Sequence, residues 1–208
     1  EVEGMKSPQL PKAKQLVAVA QHSIGLTEGE KMARFEIASL LRQLKLLQAD
    51  LDALTVQLEE LAKQMTDYEY LASVPGIGDA TIVELLSEVG TFTQYEHPRQ
   101  LIKLAGLTLR ENSSGQHKGQ KRISKRGRRK LRAVLFRVMM PLIRHNPAFK
   151  ALHQYYTNRA HNPLRKKQSI VVLCGKLLKI LHALCNKKIM FNEDAMMKDL
   201  YCLQDAAA

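Results

Sequence analysis

The chain has 208 residues, enough for one domain with a real core or a small domain plus an extension. Its formal net charge of +12 and pI near 9.7 favour a polyanionic partner, and nucleic acid is the commonest one. Aromatic residues make up only 5%, which argues against an aromatic-anchored membrane-surface role; no uninterrupted apolar run reaches the length needed to span a bilayer, and no signal-peptide pattern is present.

Residues 1–29 contain Gly4, Pro8, Pro11 and Gly25 around a short apolar run at Leu16 to Ala20. They read as a linker that carries at most one helix. From residue 30 to 72 the pattern changes. Ile37, Leu40, Leu44, Leu47, Leu51, Leu54, Leu58, Leu61 and Met65 are spaced alternately by three and four, an unbroken heptad seam without Pro or Gly. A helix of that length cannot fold back wholly onto a small domain, so its seam needs a partner. A second copy of the chain is the favoured partner, and a hairpin with an upstream segment is the alternative. The flanking positions carry little charge and leave parallel and antiparallel pairing open. Asp50, Asp52, Glu59 and Glu60 read as solvated charge on this helix.

Pro75 stops the long helix. Gly76, Ile77 and Gly78 then form a tight hairpin, and Asp79 or Thr81 can cap a new helix that buries Ile82, Leu85 and Leu86. This resembles a helix-hairpin-helix element, in which glycine-rich backbone N–H groups at a helix N-terminus meet a DNA phosphate. An ordinary helical corner is the alternative. Residues 98–106 read as a short helix opened by Pro98 and closed by Gly106. Residues 107–128 read as a loop. A helix from about Arg128 to Arg144 follows, with Leu131, Val134, Leu135, Val138, Met139 and Leu142 on one face. Pro147 opens the next helix, and a last one from about Lys167 to Cys185 looks like the core. No strand ladder is evident, so the fold class is all-α.

The densest chemical signal is the loop itself. From Gly115 to Arg132 there are nine Lys or Arg and no Asp or Glu, with Ser113 and Ser114 at the upstream edge. The cations in the first turn of the following helix oppose its dipole, which points to an external anion. The cysteines (Cys174, Cys185 and Cys202) lack C-x-x-C spacing and read as reduced, mostly buried thiols, not as a zinc site.

The order Val-Pro-Gly-Ile-Gly, Leu-Ala-Gly-Leu at 104–107, Ser-Gly at 114–115, then a basic stretch with Gly127 and Lys130-Leu-Arg, resembles the C-terminal transposase domain of the insertion-sequence recombinases related to the Piv DNA invertase. Members of that family are guided by a bridge RNA. The resemblance covers about residues 70–192, and residues 30–72 match the family's linker helix. It implies a linker at 1–29, a coiled-coil helix at 30–72, a helical transposase domain at 73–192 and a tail at 193–208. It further implies a serine nucleophile that forms a covalent phosphoserine link with DNA, followed by strand exchange without net hydrolysis. That serine maps onto Ser114, with Ser113 as the close alternative. Charge and position then suggest Lys118, Lys121 and Arg122 for the scissile phosphate, and Lys125, Arg126, Arg128 and Arg129 for the flanking backbone.

The family's Mg²⁺-binding DEDD acids belong to an upstream RuvC-like domain, so no metal site or cofactor is expected within these residues. The chain begins at Glu1 and ends in three alanines, as a piece of a longer protein would, and such a piece is not expected to recombine DNA alone. The implied partners are donor and target DNA, a guide RNA, and further copies of the chain as a dimer or tetramer, in a bacterial cytoplasm at the nucleoid, with no membrane. A non-catalytic helix-hairpin-helix module dimerised by a coiled coil explains the same charge without a special serine. A tyrosine recombinase using Tyr155 or Tyr156 fits poorly, since His153 and Arg159 are wrongly spaced.

Overall fold

A computed structural model describes residues 10–22, 29–110 and 122–198. Backbone contacts divide the chain into two units, Glu1–Ala53 and Leu54–Ala208. In the first, α1 (Leu10–Gln21) has no buried residue. Helix α2 (Glu30–Lys63) begins in that unit, and its only buried side chain is Ala62, near its end. The seam side chains from Ile37 to Leu61 are exposed, Leu47 at 59% and Leu54 at 54%.

The long helix ends at Lys63 instead of running to residue 72. Helix propensity persists past that point, but a tertiary bond overrides it. The Asp67 carboxylate, 1% exposed, accepts the Phe92 backbone N–H at 2.6 Å, so the chain turns there. The five residues of α3 (Tyr68–Ala72) follow as a separate helix.

Among the described residues the regular structure of the second unit is helical, apart from one two-residue ladder. After α3 come α4 (Asp79–Val89), a 3-10 turn at Phe92–Gln94 and α5 (Pro98–Leu104). Strands β1 (Leu109–Arg110) and β2 (Arg122–Ile123) pair antiparallel. Then come α6 (Arg129–His145), α7 (Pro147–Asn158) and α8 (Lys166–Lys187). The ladder is a small departure from the all-loop expectation for 107–128, too short to leave a pattern in the sequence.

Helix α8 packs against α3, the 3-10 turn, α5, α6 and α7. Leu173, Leu177, Leu178 and Leu181 have no exposed surface. Each fully buried side chain of this size stabilises the fold by about 1.5–3 kcal/mol. Although Lys176 and Lys179 interrupt it, α8 is by length and composition apolar enough to cross a membrane, with a mean hydropathy of 1.5. Much of it is buried within the unit, as expected of a core helix. The whole expected face of α6 is buried, from Leu131 to Leu142. Asn146 caps α7, its Oδ1 accepting the N–H groups of Ala148 and Phe149 at 3.1 and 3.2 Å.

Residues 193–198, expected in a tail, are helical and packed on the unit. Met196 is buried among the core residues, and Glu193 accepts the Ala148 N–H. The nearby Phe191 N–H donates to Ser73 Oγ at 2.9 Å. Apolar Phe191, Met196 and Met197 supply the reason, since leaving them in water forfeits burial.

Candidate nucleic-acid interface

The hairpin at 73–78 joins α3 to α4. Gly76 sits at φ +99, where a Cβ would lie 3.0 Å from Leu142 Cδ2. Both its conformation and its contact with α6 therefore explain that glycine internally. Gly78 differs. It is the N-cap of α4, with φ −93 and ψ 166. A Cβ there would meet nothing within 4 Å. No contact among the described residues requires glycine at 78. The side-chain cap expected from Asp79 or Thr81 does not form: α4 has no side-chain cap, and the Asp79 carboxylate accepts the Tyr68 hydroxyl at 2.7 Å instead. That bond holds the Tyr68 phenol above its usual pKa. Ile77 is buried and its N–H is bonded to the Val74 carbonyl, so Ile77 is a core residue of the turn. Asn146 Nδ2 reaches the Pro75 carbonyl at 3.5 Å and ties the hairpin to the start of α7.

The serines and the first cations of the basic run, Ser113, Ser114, Lys118 and Lys121, lie outside the described residues. From Arg122 onward the run is held against the C-terminal end of α5. Ser124 N–H donates to the Thr108 carbonyl at 2.7 Å, Lys125 N–H to Gly106 at 3.0 Å and Arg128 N–H to Leu104 at 2.7 Å. Arg132 adds a guanidinium bond to the Ala105 carbonyl at 2.8 Å. The carbonyls a helix leaves unpaired at its end are thus satisfied by the basic segment, and Arg132 places positive charge at the negative pole of α5. Gly127, at φ +148, makes this closeness possible: a Cβ would stand 2.3 Å from the Leu104 carbonyl oxygen.

The expected phosphate ligands therefore separate into two groups. Arg128 is an anchor, donating to the Glu88 carbonyl at 2.5 Å with its carboxylate 3.9 Å away. Lys125, Arg126 and Arg129 are exposed and have no carboxylate partner among the described residues. Arg122 faces Arg110 directly across the two-stranded ladder. Like charges directly opposite each other disfavour a ladder. Sequence reasoning missed Arg110 because it precedes the loop; a cation at each end of one loop was the available signal.

Other candidates find structural roles. Tyr155 and Tyr156 meet edge to face at 5.4 Å, the Arg159 guanidinium lies over the Tyr156 ring 5.9 Å from its centroid, and His153 Nδ1 pairs with Ser169 Oγ at 2.9 Å, contacts that pack α7. Among the described residues no group of three or more His, Cys, Asp or Glu could hold a metal ion.

Known proteins share this part of the chain. It is 36% identical over 89 residues to the transposase for insertion sequence element IS1111A of Coxiella burnetii, covering 43% of this chain and 24% of that protein. It is 31% identical over 125 residues to the pilin gene-inverting protein of Moraxella bovis, covering 59% of this chain and 38% of that one. An insertion element IS900 protein of 42 kDa from Mycobacterium paratuberculosis is 26% identical over 177 residues, covering 84% of this chain and 43% of that one. The chain spans less than half the length of each of these curated relatives. Residues 68–154, from the start of α3 into α7, match the Transposase IS116/IS110/IS902 family.

Proposed function

We infer that this chain is the DNA-handling and strand-joining part of an insertion-sequence transposase or site-specific recombinase. The observation that carries the reading is positional. The family match at 68–154 takes in the hairpin, the α5 clamp and the basic run, from which Lys125, Arg126 and Arg129 extend with no carboxylate partner among the described residues. Gly78, open to close approach, points the same way. Phosphate would lie on the backbone N–H groups at the start of α4 and on Lys125, Arg126 and Arg129, contacts blind to base sequence.

In this reading Ser114, with Ser113 as the alternative, is the nucleophile. Its Oγ bonds to phosphorus as the bond from phosphorus to a deoxyribose oxygen breaks, and the departing hydroxyl takes the proton. The incoming strand's hydroxyl later attacks the phosphoserine and releases the serine, so no net hydrolysis occurs. The described residues do not form a fitting Mg²⁺ ligand set, and the reading leaves the metal to the RuvC-like acids that the resemblance implies elsewhere. A guide RNA, and self-association through the α2 seam, belong to the same reading.

The test is Ser114→Ala, and separately Ser113→Ala, in the parent protein carrying a RuvC-like domain. Loss of covalent protein–DNA adducts in one variant, with DNA affinity retained, is expected. Adducts that persist in both variants rule out the serine mechanism. If the parent protein itself binds DNA but forms no adducts, the chain is a binding module only.

A further inference from the structure

A groove of about 770 Å³ lies between β2, the first half of α6 and the start of α8. That volume is within the range of about 300–1,000 Å³ usual for ligand sites. Its floor is apolar, with Ile123, Val171 and the ring of Phe136 among its lining. Phe136 stands off the buried face of α6 and is 39% exposed, although aromatic side chains normally bury. Cys174 adds to the floor as a neutral thiol, because burial pushes its pKa up to about 12.

The rim is cationic, formed by Lys125, Arg129 and Lys167. Among the described residues none of these three has a carboxylate partner and no acid lines the groove. Of the two other lining arginines, Arg132 is bonded to the Ala105 carbonyl and Arg137 to Glu84. Lys167 comes from the first turn of α8 and Arg129 from that of α6, and neither turn contains an acid. Charge on two sequence-distant segments therefore converges over one hydrophobic surface. An apolar floor with an exposed ring and a cationic rim matches a flat heterocycle tethered to phosphates.

We propose that this groove holds one unpaired nucleotide of a DNA strand, its base against Phe136 and its phosphates on Lys125, Arg129 and Lys167. The assignment rests on the DNA-handling reading above and adds that the domain distinguishes unpaired from paired strands. Among the described residues no side chain lining the groove offers a carboxylate, amide or hydroxyl to a base edge, so their grip is tolerant of base identity.

Fluorescence anisotropy tests this with the whole 208-residue chain and a 12-nucleotide DNA, single-stranded or as a duplex of the same sequence. Phe136→Ala weakens single-strand binding about tenfold and duplex binding less than about twofold, while Phe136→Trp restores it. The melting temperature of each variant controls for folding. Phe136→Leu, which keeps apolar bulk without a ring, behaves as the alanine variant does. Equal effects of Phe136→Ala on both DNA forms, or none on either, overturn the groove assignment. So does an effect confined to an RNA of the same sequence. Lys125→Gln with Arg129→Gln and Lys167→Gln separates the two levels. If the triple variant weakens both DNA forms and Phe136→Ala neither, only the groove assignment falls. If neither change alters any binding, the DNA-handling reading falls with it.

Discussion

Replacing Gly127 by alanine is expected to unseat the basic segment from α5. The added Cβ would stand 2.3 Å from the Leu104 oxygen, 2.7 Å from the Gly106 nitrogen and 2.9 Å from the Lys103 oxygen. All three are backbone atoms at the end of a packed helix, so none can swing aside. The φ of +148 adds strain for any residue with a Cβ, which alone costs about 1–3 kcal/mol. Separating the basic segment from the end of α5 also weakens the Arg128-to-Leu104 and Lys125-to-Gly106 bonds, at about 0.5–1.5 kcal/mol each. Together these come to about 2–6 kcal/mol, or a fall of about 4–24 °C in melting temperature for a domain of this size. Thermal unfolding followed by circular dichroism measures it, with Gly175→Ala as the control because a Cβ there meets nothing within 4 Å. A Gly127→Ala melt within about 2 °C of the wild type would refute the clamp.

Gly78→Ala should leave the melt nearly unchanged and weaken DNA binding, since the space it fills is outside the chain; unchanged affinity removes the hairpin from the interface. If about six cations of the run touch phosphates, log K should fall against log salt with a slope of about −5, and a slope near zero removes the run as the main grip. Leu47→Asp with Leu54→Asp should convert an α2-linked oligomer to monomers in analytical ultracentrifugation; a wild-type chain that sediments as a monomer at high concentration counts against the seam. Cys174 and Cys185, both pushed up to about 12 by burial, should resist alkylation at pH 8 in the native state and react on unfolding. Native-state labelling of either, read by mass spectrometry, contradicts the core packing.

The parts legible in the sequence are those whose cause is local. Pro98 and Gly106 bracket α5, Pro147 opens α7, and the apolar face of α6 lies buried as its spacing requires. The Gly76 turn was legible for the same reason, because a positive φ favours glycine. What could not be read depends on partners far along the chain. Asp67 ends α2 early because it is needed by Phe92, 25 residues on. Asp79 looks like a cap, but Tyr68 takes its carboxylate. Arg128 is chemically the same as Arg126 and Arg129, and only the position of Glu88 makes it an anchor. Lys167 and Phe136 join the basic segment through packing alone. The acid-free first turn of α8 was the one hint that its lysines faced the same way as those of α6.

The place of α8 in the chain has a consequence for synthesis. The helix touches five other elements of its unit, yet its residues, 166–187, are among the last of that unit to be made. Earlier segments emerging from a ribosome would have their apolar faces without a common surface to close on. The unit therefore has to wait for α8, and for Met196 after it, before it can fold cooperatively. Chains cut short before α8 would lack the surface on which the other helices close, and their apolar faces would stay open to proteolysis.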